Sequence, residues 1–381
     1  MKGTVVLGMI LATAMVFSGC SGDVTPKRQV KQEIVVACGR DSTGTIESIM
    51  NDFTGQSETT QVKLMEFSNE SVDLHRAISS MLSGKEVQLD AMLIEDVWVN
   101  EFVYNDYLKS LDEMVNFDED EYHSAISDFA VTDEKLYWYP LILDTGIMYY
   151  REDISKGDMN YQSLSKQSKF NYAVQGVNGE EMLCCAYEFI NLTGSIRNGI
   201  ELYKKIIDGA ESSGENFISD FKEGDIAYMR AWSMDSKDIT GGFSPVAAKV
   251  NTNVLKKDNG EAYATARVYG ISVNESSKNT ENVRELLDYL STDEVKAKIL
   301  KEMGTLPLKY EDYENPSISY YTEYIDDTRL MFDTLKFRPN RDNYTYLSKQ
   351  ARSALNDYLT DNGTIDTAID KLAMLLNSTV E

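Results

Sequence analysis

Residues 33–94 alternate between two periodicities, and that alternation admits few architectures. Residues 33–37 (EIVVA), 62–67 (VKLMEF) and 91–94 (AMLI) are short apolar runs of the kind that form strands covered on both faces. Between them Ile46, Ile49, Met50 and Phe53 fall at i, i+3, i+4 and i+7, and Leu74, Ala77, Ile78, Met81 and Leu82 mark a second helix with one apolar face. Strands joined through helices return parallel, so the order β-α-β-α-β predicts a doubly wound parallel sheet. Ligands of such sheets bind beyond the carboxyl ends of the strands. Three segments are therefore directed at one crevice: Gly39-Arg40-Asp41, Glu66-Phe67-Ser68 and Glu95-Asp96-Val97-Trp98.

Residues 137–151, YWYPLILDTGIMYYR, set one acidic residue, Asp144, in an apolar and aromatic stretch. A charge buried without a partner is strongly unfavourable, so Asp144 is expected to be paired, hydrogen-bonded or facing a cleft. Thr145-Gly146 offers a kink between two β-prone runs, as where a chain leaves one lobe for another. A strand broken by a bulge, with Asp144 bonding its own backbone, fits the spacing equally well.

The chain has 381 residues, enough for two lobes of ordinary size. Its 37 basic and 62 acidic residues give a net charge of −25, which repels phosphate backbones and anionic lipid, so nucleic acid is excluded as a partner. No His/Cys/Asp group has zinc spacing, and neither a P-loop nor a G-x-S-x-G motif occurs; no metal, cofactor or catalytic residue is expected. His75 and His123 read as surface residues. Cys38, Cys184 and Cys185 lie in apolar runs and read as buried free thiols, with a Cys38 to Cys184 or Cys185 bridge left open.

At the N-terminus, Lys2 precedes an apolar run over residues 5–17 and then Ser18-Gly19-Cys20, the pattern of a signal peptide too short to span a bilayer permanently. Its ending resembles a bacterial lipobox, with Phe17 where Leu is usual, which makes Cys20 the lipidated first residue of the mature chain. Residues 21–32 then form a polar tether. A plain signal peptide with an incidental cysteine is the alternative.

Residues 90–111, DAMLIEDVWVNEFVYNDYLKSL, and 135–154, KLYWYPLILDTGIMYYREDI, together resemble the extracellular solute-binding lipoproteins of bacterial ABC sugar importers, the maltose/trehalose-binding type of family 1. Further similarities lie in Gln175-Gly176 with Gly179-Glu180, which lack the family's Tyr, and in residues 221–232, FKEGDIAYMRAW. Arg338-Pro339 resembles the pair that opens the family's C-terminal helices. Arg267-Val268-Tyr269-Gly270 stands where the family carries Gly-Gly-Trp, a departure that leaves the sugar unnamed.

The resemblance implies an α/β, two-lobed periplasmic-binding-protein-like fold, each lobe a sheet flanked by helices, with a hinge and an interlobe cleft. Lobe 1 then comprises residues 33–143 and about 271–310; lobe 2 comprises 144–270 and about 311–381. The implied protein is a monomer, not an enzyme, anchored by lipid at the outer face of the cell membrane or in the periplasm. It captures a carbohydrate and delivers it to permease transmembrane subunits. A sensory or adhesive lipoprotein without transport, and more remotely a glycan-acting enzyme with a carboxylate pair, are the alternatives.

Holding a polyol takes carboxylates and guanidinium groups for its hydroxyls and flat aromatic faces for its C–H side. The resemblance gives these roles to Asp144, Trp232 and Tyr269, with Glu95 or neighbouring Asp96 as the acidic ligand residue and Arg40 and Arg338 completing the polar set. Trp98 shares a helix face with Phe102 and reads as core. Downstream, Ser291 with Glu294 reads as a helix cap, and Thr364 as the cap of an apolar stripe from Ile365 to Leu376.

Overall fold

The computed structural model describes residues 30–84, 88–155, 170–174, 179–257, 259–320 and 332–377. Its first layer is the alternating pattern made physical: β1 (Gln32–Gly39), α1 (Thr45–Gln56), β2 (Thr60–Phe67), α2 (Ser71–Ser83) and β3 (Ala91–Glu95). β1 lies between β2 and β3 and is parallel to both. Ile46, Ile49, Met50 and Phe53 of α1, with Leu74 and Ile78 of α2, turn inward onto the sheet, where Ile34, Val36 and residues 91–94 are buried. The helices are held by this burial, since isolated helices of 12 or 13 residues are marginal in water.

Beyond this layer come β4 (Tyr139–Arg151), β5 (Phe170–Val174), α3 (Gly179–Thr193), α4 (Phe217–Glu223), β6 (Tyr228–Trp232), β7 (Val250–Val254) and β8 (Thr265–Asn274). β4 and β8 join everything into one curled sheet ordered β2-β1-β3-β8-β4-β6-β5. Up to Thr145, β4 pairs antiparallel with β8; from Gly146 on it pairs with β6 and β7. The strand changes partners at Thr145-Gly146 without breaking. The register irregularity lies opposite Tyr269 and Gly270 of β8, where β4 carries one extra residue, Leu141. Gly146 is required for a different reason: a Cβ there would overlap the Glu188 carboxylate and the Arg230 guanidinium lying over it.

The remaining layers are α5 (Asp293–Met303), α6 (Tyr344–Leu359) and α7 (Ile365–Leu376). α5 is capped by Thr292, whose side chain accepts from the Val295 N–H, whereas Ser291 closes the preceding helix; the expected cap is one residue off. Thr364 caps α7 as predicted. Cys38, Cys184 and Cys185 are buried free thiols, and burial pushes Cys38 and Cys185 up to about 12. Neither histidine is a surface residue. His75 bonds Glu101 at 3.0 Å and packs on Trp98 and Phe102, and half-buried His123 accepts from the Ala125 N–H. Trp98 and Phe102 are core. Among the described residues no helix is long and apolar enough to cross a membrane. The expected signal peptide, Cys20, most of the tether and Gln175-Gly176 lie outside the described residues.

Candidate ligand-binding cleft

A cavity of about 230 Å³ opens where the carboxyl ends of the first sheet face β8 and the turn after β6. Arg40 and Asp41 follow β1, and Asn69 and Glu70 lead into α2; both loops line it. Glu66, Phe67 and Ser68 do not, because the chain needs two further residues past β2 to reach the cleft. The opposite wall carries Glu181 of α3, Phe217 of α4, and Trp232, Met234 and Asp235. Arg267 and Tyr269, two residues apart on β8, share one strand face and also line the cavity.

Asp144 is fully buried on β4, directly opposite Arg267 in the β4–β8 register. Arg267 donates to Asp144 Oδ2 through Nε at 3.0 Å and approaches it through Nη2 at 2.9 Å. Asp144 Oδ1 accepts from Ser233 Oγ at 2.7 Å and from the Met234 N–H at 3.0 Å. A carboxylate expected to have few protein donors thus has its oxygens filled by protein, and it is absent from the cavity wall. It acts on the cleft through Arg267, whose Nη1 also donates to Glu181 Oε1 at 3.3 Å. Burial works against the Arg267 charge, but Tyr269, Asp144 and Glu181 outweigh it and hold the guanidinium protonated.

Trp232 is in the cavity wall yet only 3% exposed. Two guanidinium groups flank its ring, Arg267 at 4.0 Å and Arg230 at 4.2 Å from the ring centre. Arg230 is itself pinned by Glu188, through Nε at 3.0 Å and Nη2 at 2.5 Å, with both side chains wholly buried. The stacking surface expected of Trp232 is therefore partly occupied by protein cations; Tyr269, with Arg267 5.6 Å from its ring centre, and Phe217 are further aromatic residues of the wall. Trp232 Nε1 has no hydrogen-bond partner among the described residues. Asp235 Oδ2 accepts from the Trp232 N–H at 3.0 Å, and burial, then the nearby Asp144 charge, push its carboxyl up to about 6.

Glu95, Asp96 and Arg338, expected as ligand groups, are not in the cavity wall and pair with one another. Arg338 donates to Glu95 Oε2 at 2.6 Å and to Asp96 Oδ1 at 2.5 Å, and all three are at most 2% exposed. Asp96 Oδ2 also accepts from the Val268 N–H at 3.0 Å. Glu180 joins the cluster, 3.6 Å from Arg338 and 3.4 Å from Arg352, and accepts from the Tyr344 hydroxyl. Burial raises Asp96 and Glu180; in Glu95 the burial effect is overcome by Arg338 and the pKa is lowered. The cluster ties β3 to α3 and α6 beneath the cleft. Of the expected residues, the structure brings Arg40, Trp232 and Tyr269 to the cavity. It adds Glu70, Glu181, Asp235, Phe217 and Arg267, of which only Arg267 carried a sequence signal, its i, i+2 spacing from Tyr269 on a strand.

A family model described as bacterial extracellular solute-binding protein matches residues 48–324. A protein of Deinococcus radiodurans, described as a probable ABC transporter-binding protein, is 24% identical over 273 residues, and the match spans 64% of that relative's length. Maltose-bound MalE3 of T. maritima superposes with a TM-score of 0.78 at 17% identity, covering 91% of this chain and 99% of that one. The GacH receptor of Streptomyces glaucescens, solved unliganded and with acarbose and an acarbose homolog, gives 0.77 at 16% identity, covering 92% and 99%. The α/β fold with its curled sheet is that of these two-lobed binding proteins.

Proposed function

Because the chain belongs to the bacterial extracellular solute-binding proteins, we propose that it captures a carbohydrate in this cleft and delivers it to the permease subunits of an ABC importer. The observation that carries the reading is the cavity itself. It sits beyond the carboxyl ends of a parallel sheet and combines Tyr269 and Phe217, aromatic faces for sugar C–H groups, with Arg40, Glu181 and Asp235 for hydroxyls. Among structural neighbours, one is described as maltose-bound and another with acarbose, which supports an oligosaccharide-sized ligand.

In this reading residues 33–143 with about 271–310 form one lobe, and 144–270 with about 311–381 the other. The chain crosses between them on β4 near Asp144 and on β8 near Tyr269-Gly270, and the lobes close over the sugar by bending there. Lipid on Cys20 holds the protein, a monomer, at the outer membrane face. Calorimetric titration with mono- and oligosaccharides, paired with small-angle scattering, tests the function. Saturable binding with a smaller radius of gyration is expected; binding without compaction removes closure, and no sugar binding removes the function.

A further inference from the structure

We propose that the cleft selects a carbohydrate bearing a protonated amine, an amino sugar or amino-oligosaccharide, over its neutral counterparts. This rests on the carbohydrate-binding reading above and names the class of ligand within it.

The charges of the cavity wall do not balance. It presents four carboxylates, Asp41, Glu70, Glu181 and Asp235, against two guanidinium groups, Arg40 and Arg267. The Arg267 charge is already met from behind by Asp144 and beside it by Glu181 Oε1. Asp41 is also committed, since Oδ1 accepts from the Thr43 N–H at 2.8 Å and Oδ2 from the Ile46 N–H at 3.1 Å, closing the turn into α1. Three carboxylates remain in the wall beyond these commitments: Glu181, which meets Arg267 through Oε1; Asp235, which meets the Trp232 N–H through Oδ2; and Glu70.

Each of Glu70 and Asp235 sits in the field of another carboxylate. Burial first and Glu181 second raise Glu70, while burial first and Asp144 second raise Asp235. A cation placed among them offsets both the burial and the like-charge repulsion, whereas a neutral hydroxyl donates a hydrogen bond but brings no compensating charge. The net charge of −25 adds a field over the whole molecule that concentrates cations near the mouth.

A bare cation is not the better fit, because the wall also carries an unused donor. Trp232 is 97% covered and its Nε1 has no partner among the described residues. A buried N–H without an acceptor is unfavourable until an oxygen meets it, and in this proposal a ligand hydroxyl entering beside Trp232 is that oxygen. Tyr269 and Phe217 supply apolar faces alongside. Hydroxyl acceptor, apolar ring face and ammonium are together the chemistry of a protonated amino sugar.

The test titrates the full-length mature protein at pH 7 and low salt with glucosamine and its β-1,4 oligomers, their N-acetylated counterparts, maltose and maltotriose, and putrescine as a sugar-free amine. The free-amine sugars are expected to bind at least about tenfold tighter than the N-acetylated ones, which share the ring but lack the charge. Glu181→Gln and Asp235→Asn are each expected to narrow that gap by about tenfold while an apo melt confirms folding. Equal or tighter binding of the neutral sugars overturns the inference and leaves the carbohydrate reading standing. Binding of putrescine with no sugar binding, or no binding at all, overturns both.

Discussion

Arg267 and Asp144 face each other across β8 and β4, with Arg267 Nε 3.0 Å and Nη2 2.9 Å from a single oxygen of a wholly buried carboxylate. A cross-strand pair at this depth aims the guanidinium rather than leaving it to solvent. Asp144→Asn is therefore expected to act on folding as well as binding. Loss of the charge leaves Arg267 with Glu181 alone, and the apo protein loses about 3 kcal/mol, the low end for breaking a buried pair. The dissociation constant rises with it. A melt of the apo form beside calorimetric titration decides: an unchanged melting temperature with weaker binding means that Asp144 meets the ligand directly.

Asp235 gives a pH dependence of definite sign. Its folded pKa of about 6 lies above the ordinary value of 3.8, so the folded state binds its proton more tightly than the unfolded one. Its contribution to stability is full below the unfolded value and is lost as pH rises through about 6. Asp235→Asn keeps an acceptor for the Trp232 N–H and removes the titration. It is expected to raise the melting temperature at pH 7.5 by about 2–4 °C, with the gain vanishing near pH 4. A gain that persists at pH 4 assigns the effect to packing instead.

Arg338 holds Glu95 and Asp96 in a cluster in which all three are nearly inaccessible to solvent. Arg338→Ala strands two buried carboxylates and is expected to destabilise the protein by about 3–5 kcal/mol at pH 7. Glu95 is held below its ordinary pKa by Arg338, so this contribution is present above the unfolded value near 4.5 and is lost as pH falls through the folded one. Denaturant titration at pH 7 and pH 4 checks both statements. An equal loss at the two pH values counts against the ionic cluster as its source.

Lipid on Cys20 predicts a simple fractionation result. Cys20→Ala is expected to move the protein from the membrane pellet to the soluble fraction, because one acyl group set is its anchor in this reading. Retention of the variant in the pellet refutes lipid anchoring.

What the sequence made legible was whatever depends on local period. The first sheet and its helices followed from spacing at residues 33–94, and the Thr364 cap from its position before an apolar stripe. Pairing across long separations was not legible. Asp144 looked short of donors because Ser233, Met234 and Arg267 lie some 90 to 120 residues away in the chain. Glu95, Asp96 and Arg338 looked like ligand groups for the same reason, since a charge beside an apolar strand reads alike whether its partner is a sugar or a distant arginine. Resemblance pointed to segments, and the fold places Arg40, Trp232 and Tyr269 of those segments in the cavity wall.

Trp232 separates the two roles that a buried aromatic at a cleft can hold. Its ring packs against the Arg230 and Arg267 guanidinium groups, and its Nε1 is left without a partner among the described residues. Trp232→Ala removes both and opens a cavity, so a loss of about 3–5 kcal/mol in stability obscures any effect on binding. Trp232→Phe is the informative change, because an aromatic face for the guanidinium groups is kept while the N–H donor is lost. A neutral hydrogen bond contributes about 0.5–1.5 kcal/mol net, so this variant is expected to bind its sugar about three- to tenfold more weakly with a melting temperature within a few degrees of the parent. Calorimetric titration measures the first and a thermal melt the second. An unaltered dissociation constant means that Nε1 points at no ligand oxygen and that Trp232 serves the cleft only by fixing Arg267.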